Sequence, residues 1–320
     1  MLLNVICVII GFFVLIKGAD LFIDGVSSSA INLKIPKIII ALTIVAFGTS
    51  APEFAISVQG MMDGNGDVVL ANVIGSTIVN TMLVIGIASV VRPIKVKNET
   101  IKKELPLHLI IITIFAILFT DSIFKKGVQN EITRGDGIAL FLAFLVFLYY
   151  IFSIIKNRGA DRGIKKEKAK YKLRKSIIYS VIGLIAIFIG SDLAVDNAVS
   201  FATQIGVSHK FITMIVLVIG TSTPELVMAI TSAKKGEFDI ILGNIIGTNI
   251  FNIGFVLGIP VMIFGGVVAP GFGLFDMIMV VLSALTLYVF AKGDKVISKK
   301  EGLVMLFIFL LYYGYVVFNF

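Results

Sequence analysis

The sequence has no tryptophan, one cysteine and two histidines among 320 residues. A lone Cys7 excludes an internal disulfide and leaves no basis for a thiolate-ligated metal cluster. His108 and His209 form no HExxH pattern and no Ser–His pairing stands out, so hydrolase chemistry is not expected and the chain reads as a non-enzyme without a cofactor. Charge is scarce too: 15% of residues are charged and 58% hydrophobic, with a mean hydropathy of +1.02. A soluble domain carries about 25% charged residues. The composition is that of an all-α polytopic membrane protein, and without tryptophan its interfacial belt must come from tyrosine and phenylalanine. The N-terminus lacks a basic leader and a small-residue cleavage site, so the first apolar segment is expected to be retained.

Ten apolar segments approach the about 20 residues a bilayer span needs: roughly 2–23, 38–60, 68–91, 105–121, 136–155, 176–196, 211–233, 238–264, 273–291 and 301–318. The net charge of +8 sits mainly between them, which points to a lipid surface rather than nucleic acid. Twenty-three of the 28 lysines and arginines fall on alternate connections starting with the first, and four on the others. By the positive-inside rule both termini are outside. The richest connection, 156–175, holds ten basic residues and reads as a cytoplasmic linker that sets topology and meets headgroups. It separates two five-span units, 1–155 and 176–320.

These units are copies. Gly48-Thr49-Ser50-Ala51-Pro52-Glu53 recurs as Gly220-Thr221-Ser222-Thr223-Pro224-Glu225. Asn72-Val73-Ile74-Gly75-Ser76-Thr77-Ile78-Val79-Asn80 recurs as Asn244-Ile245-Ile246-Gly247-Thr248-Asn249-Ile250-Phe251-Asn252. The offset is constant, and it also relates Gly11 to Gly183, Asp20 to Asp192 and Asp24 to Asp196, which identifies an internal duplication. Five spans reverse the chain, so the second copy lies inverted, an arrangement that puts a transport site near the midplane between repeats.

An acid inside a span is a functional candidate by default, and here Glu53 and Glu225 mirror each other. Pro52 and Pro224 lack an N–H and free the carbonyls of Gly48 and Gly220, predicting broken second and seventh helices. With the hydroxyls of Thr49, Ser50, Thr221 and Ser222 this makes an all-oxygen set suited to hard cations such as Na⁺ and Ca²⁺. Asn72, Ser76 and Asn80 share one helix face, repeated by Asn244, Thr248 and Asn252. Asn80 and Asn252 lean towards the site, while Asn72 and Asn244 serve equally well as interhelical hydrogen bonders. Asp20, Asp24, Asp192 and Asp196 either line vestibules or cap helix ends. Lys17 either snorkels or pairs with Asp20.

The duplicated motif resembles the α-repeats of the Ca²⁺/cation antiporter superfamily, specifically the Na⁺/Ca²⁺ exchangers, over the whole chain. The resemblance implies ten transmembrane helices in two inverted-topology five-helix repeats. The second, third, seventh and eighth would form the core, and the first and sixth would slide as a gating pair. Carried over by position, it implies a metal-ligand set of Thr49, Ser50, Glu53, Ser76, Asn80, Thr221, Ser222, Glu225, Thr248 and Asn252, joined by backbone carbonyls near Ala46 and Val218. An amide at Asn252, where K⁺-dependent members carry aspartate, favours K⁺-independent exchange. The proton-coupled branch carries Gly-Asn-Ala followed by an acidic residue in its second motif, and Ala71-Asn72-Val73-Ile74-Gly75 and Gly243-Asn244-Ile245-Ile246-Gly247 here speak against that branch. No large Ca²⁺-sensing insert is present.

The expectation is an antiporter, functional as a monomer in a prokaryotic plasma membrane, that transports Na⁺ and Ca²⁺ as substrates. Two carboxylates neutralise one Ca²⁺, whereas three Na⁺ would leave +1, making three-for-one exchange electrogenic. K⁺-dependent or H⁺-coupled Ca²⁺ antiport and, more remotely, a cation channel are the alternatives.

Overall fold

The structure, a computed structural model, describes residues 2–120, 130–156, 168–204 and 220–319. Expected features at His209 and Val218, and the first part of the seventh span, lie outside the described residues. The described chain is almost wholly helical: α1 Leu2–Leu33, α2 Lys37–Thr49, α3 Ala51–Met62, α4 Gly66–Val91, α5 Leu105–Phe119, α6 Arg134–Lys156, α7 Leu173–Gln204, α8 Thr223–Lys235, α9 Phe238–Phe264, α10 Leu274–Lys292 and α11 Lys299–Asn319. Six of these are long and apolar enough to cross a bilayer, or seven if the bent pair α2–α3 counts as one span.

Burial sorts the helices. Within its most apolar window α9 is 94% buried and α4 78%, against 22% for α1 and α6. The central pair is therefore α4 and α9, and the outer helices present their apolar residues to lipid. Two short antiparallel ribbons, which two-residue strands give no sequence pattern to foresee, tie the ends. Ile94–Lys95 (β1) pairs with Val296–Ile297 (β4), and Glu131–Ile132 (β2) pairs with Val267–Val268 (β3).

Helices α1 and α7 are each 32 residues, about 48 Å long, which exceeds a hydrocarbon core of about 30 Å. They extend past the expected ends at 23 and 196. The extra turns of α1 are serine-rich and buried, Ser29 Oγ donating to Ser176 Oγ at 3.1 Å, so they face α7 rather than lipid. Glycines let the two backbones touch. A Cβ on Gly11 would lie 2.6 Å from the Ala194 nitrogen and 2.8 Å from the Gly190 carbonyl. One on Gly183 would lie 2.5 Å from the Phe22 nitrogen and 2.8 Å from the Gly18 carbonyl. The Gly11–Gly190 contact becomes the Gly18–Gly183 contact when the two copies exchange places, as a two-fold relation requires. Lys17 does not pair with Asp20: its ammonium sits over the Phe13 ring, 5.8 Å from the centroid.

Candidate cation-binding site

The first motif breaks its helix. At Ser50 the backbone leaves the helical basin (φ −81°, ψ 1°), and α2 and α3 meet at 46°. Pro52 does not kink a continuous helix. It occupies the first turn of a new one, where its missing N–H costs nothing. Ser222 has the same geometry (φ −87°, ψ 4°) and Pro224 the same place in α8. Glu53 and Glu225 thus fall in the first turns of α3 and α8, near the positive ends of the helix dipoles.

The other strand of the site runs down α4 and α9. Their middle turns widen into π-helical geometry over Val79–Val84 and Asn252–Leu257. Asn80 lies in the first of these and Asn252 opens the second. Such widened turns occur mostly at functional sites.

All the motif polar residues within the described chain are buried except Thr221, which is half-buried. Thr49 Oγ1 lies 3.4 Å from the Ala46 carbonyl, 3.4 Å from Asn244 Oδ1 and 3.4 Å from Thr248 Oγ1. Oxygens that each sit 2.3–2.6 Å from one Ca²⁺ at right angles are separated by about 3.3–3.7 Å, so this spacing matches neighbouring ligands in a coordination shell. The Ala46 carbonyl also accepts the Ser50 amide at 3.0 Å, leaving it one lone pair. Asn72 Nδ2 donates to the Glu53 carbonyl at 2.8 Å and to Ser57 Oγ at 3.1 Å, the interhelical role open to it from the sequence. Ser76 turns its hydroxyl back to the Asn72 carbonyl.

The Thr221 hydroxyl faces Glu53 across the repeats, and the Thr49 hydroxyl faces Glu225. No donor stands at hydrogen-bond geometry from any of the four carboxylate oxygens, nor from Asn80 Oδ1 or Asn252 Oδ1, and Ser50 Oγ and Ser222 Oγ also lack partners among the described residues. Buried polar atoms in native folds are nearly always paired. Here the unpaired ones fall on matching positions of both motifs. A helix N-terminus stabilises a carboxylate by up to about 2 kcal/mol. Burying an ion costs several kcal/mol even after relaxation. The dipole does not cover that cost, and a positive ion among these oxygens would.

A cavity of about 190 Å³ borders this cluster at Thr221, lined also by Pro52, Gly220 and Pro224 and by Asp192 and Asp196 of α7. Asp192 and Asp196 therefore line a cavity from within α7 rather than cap a helix end. Their counterparts on α1 are engaged: Lys235 Nζ lies 3.2 Å from Asp20 and 2.8 Å from Asp24, and Lys170 Nζ lies 2.6 Å from Asp24. The attraction of Asp24 raises the affinity of Lys170 for its proton.

Sequence reasoning missed Asn249 and His108. Asn249 was visible only as a position where the repeats differ, since Thr77 is its counterpart. His108 lies in the first turn of α5, near the end of its span, and is fully buried.

Comparisons with known proteins agree with the motif. The family described as sodium/calcium exchanger protein matches residues 3–153 and 175–318. CaxA of Alkalimonas amylolytica is 37% identical over 324 residues, covering 98% of each chain. The sodium/calcium exchanger MaX1 of Methanosarcina acetivorans is 28% identical over 343 residues, covering 97% of each. The solved structure of the sodium–calcium exchanger NCX_Mj soaked without Na⁺ and Ca²⁺ superposes with a TM-score of 0.83 at 28% identity, over 98% of this chain and 99% of that one.

Proposed function

The chain belongs to the sodium/calcium exchanger protein family, and from that premise we propose that it is an electrogenic antiporter exchanging three Na⁺ for one Ca²⁺, independent of K⁺. Membership makes it a multi-pass membrane antiporter of cations, including Ca²⁺, rather than an enzyme. The finer reading is ten spans in two inverted repeats, 1–155 and 176–320, joined by a cytoplasmic linker at 156–175, with both termini outside a prokaryotic plasma membrane and a monomer as the working unit. The exchange of Gly11–Gly190 for Gly18–Gly183 between α1 and α7 supports the inverted relation.

One observation carries the site assignment: Glu53 and Glu225 are fully buried, and none of their carboxylate oxygens has a hydrogen-bond partner among the described residues. Each needs a cation. Ser50, Asn80, Ser222 and Asn252 supply further unpaired oxygens, and Thr49, Thr248, Ser76 and Thr221 lie among them. With the carbonyls of Ala46 and Val218 these are the proposed ligands. Two carboxylates balance one Ca²⁺, so the Ca²⁺-loaded core is neutral. Three Na⁺ leave it at +1. Ca²⁺ and Na⁺ then compete for the same oxygens, and the bound set is exposed alternately to each side as α1 and α7 move.

Ca²⁺ uptake into Na⁺-loaded proteoliposomes diluted into Na⁺-free medium tests this. Uptake that requires the Na⁺ gradient and ignores K⁺ is expected. Uptake that follows a pH gradient without Na⁺ would move the chain to proton coupling. A requirement for K⁺ would show that the Asn252 amide does not set ion dependence.

A further inference from the structure

A chain of buried polar contacts leads away from the proposed site and ends on a histidine. Asn80 Nδ2 lies 3.5 Å from Asn249 Oδ1. Asn249 Nδ2 donates to Thr81 Oγ1 at 2.9 Å and lies 3.0 Å from His108 Nε2. All four residues are fully buried. They belong to three helices, α4, α9 and α5, and the chain has no counterpart in the other repeat. Position 108 maps onto Val280, and the counterpart of Asn249, Thr77, bonds to its own helix at the Val73 carbonyl.

The donors and acceptors can be counted. An amide nitrogen only donates, so with Asn249 Nδ2 facing it His108 Nε2 must accept, which places the ring proton on Nδ1. Both Asn249 N–H groups are then used, one on Thr81 and one on His108. Its oxygen is left facing Asn80, which meets it with Nδ2. Asn80 Oδ1, the atom with no protein partner, becomes the free end of the chain. A donor at position 108 would reverse every link. Asn249 would turn its oxygen to the ring and its nitrogen to Asn80, and Asn80 would then present N–H groups where a cation needs oxygen. His108 meanwhile leaves Nδ1 without a partner among the described residues, a cost that leucine would avoid.

We propose that His108 is a positioning residue for cation binding: as a hydrogen-bond acceptor it fixes the amide of Asn249, and through it holds the Asn80 side-chain oxygen towards the ions. This rests on reading Asn80 as a ligand. Outer-shell partners of this kind alter metal affinity by about 10–100-fold when removed.

The test measures the apparent Ca²⁺ affinity and maximal rate of Na⁺-driven uptake in proteoliposomes for variants at positions 108 and 80. His108→Leu removes the acceptor and should weaken apparent Ca²⁺ affinity by at least about tenfold, with a smaller change in maximal rate. His108→Gln can present an oxygen near the Nε2 position and should restore affinity to within about threefold. The decisive variant is Asn80→Asp, whose carboxylate offers an oxygen whichever way it turns. Adding His108→Leu to Asn80→Asp should therefore cost almost nothing, whereas a packing role would cost the same in both backgrounds. Equal losses in the two backgrounds, or native affinity in His108→Leu, overturn the proposal. If His108→Leu does not fold, His108→Met keeps an unbranched apolar side chain with only a weak acceptor and is read the same way. Asn80→Ala separates the two levels of argument. Unchanged affinity there rejects the ligand itself, while a loss there beside native affinity in His108→Leu rejects only the positioning role.

Discussion

The ammonium of Lys235 at the end of α8 sits 2.8 Å from the carboxylate of Asp24 on α1. Gly236, in the left-handed conformation (φ +75°), ends α8 immediately after it and turns the chain away. Lys235 also reaches Asp20, and Lys170 reaches Asp24 from the central connection, so three segments converge on one side of the proposed gating pair. The counterpart aspartates, Asp192 and Asp196, make no ion pair among the described residues and line the cavity instead. One pair of aspartates is clasped by lysines and the other lines a cavity.

Lys235→Ala should therefore loosen the clasped side. The partners are roughly a quarter exposed on average, so solvent-screened pairs of this kind contribute about 0.2–1 kcal/mol. Backbone hydrogen exchange in residues 24–33 should then accelerate by roughly 1.4- to fivefold. High salt should mimic the substitution in the native protein and add little in the variant. Unchanged exchange would mean the ion pairs are incidental to gating.

Packing along α1 and α7 gives a sharper expectation. A Cβ at Gly183 would fall 2.5 Å from the Phe22 backbone nitrogen, and backbone cannot step aside as a flexible side chain can. Gly183→Ala should cost about 1–3 kcal/mol and slow exchange more than it weakens Ca²⁺ binding, because it separates the helices proposed to slide while leaving the proposed ligands intact. Thermal unfolding and uptake kinetics on the same preparation check both halves.

The acids should show opposite effects on function and on stability. Glu53→Gln or Glu225→Gln removes a charge that is buried without a partner, so the cation-free variant should be no less stable than the native protein, and by about 1–3 kcal/mol more stable if the carboxylate is ionised there. Na⁺-driven Ca²⁺ uptake should disappear. Ca²⁺ should also cease to raise the unfolding temperature, which in the native protein reflects about 2.7 kcal/mol at a hundred times the dissociation constant. Uptake near the native rate in either variant would end the shared-site reading.

Much of this was legible in the sequence because duplication acts as an internal control. Pro52 and Pro224 alone could be packing kinks, but a matched carboxylate one residue later in both copies could not be explained by packing. What duplication cannot show is where the copies differ. The His108–Asn249 contact joins residues 141 apart on helices whose counterparts lack it, so neither spacing nor periodicity pointed to it. Hydropathy likewise ended α1 near residue 23, since Ser27, Ser28 and Ser29 lower it, although all three are buried against neighbouring protein. Lys235 was legible as a topology signal but not as a partner of Asp24, because that contact depends on how α8 meets α1.

Asn252 tests the charge arithmetic of the cycle. Both its amide atoms lack partners, so aspartate can replace it without breaking a hydrogen bond. Under the proposed three-for-one exchange a core of −2 is neutral with Ca²⁺ and +1 with three Na⁺, so only the Na⁺-loaded step would cross the field with net charge. Asn252→Asp makes the core −3: the Ca²⁺-loaded form becomes −1 and the Na⁺-loaded form neutral. The overall stoichiometry is unchanged, but the voltage-sensitive step moves to the other limb. Ca²⁺-for-Ca²⁺ exchange isolates that limb. It should be insensitive to membrane potential in the native protein and sensitive in Asn252→Asp, where one charge crossing the full field is worth about 2.3 kcal/mol per 100 mV. Voltage-sensitive Ca²⁺ self-exchange in the native protein would mean that two carboxylates are not the whole charge of the moving site.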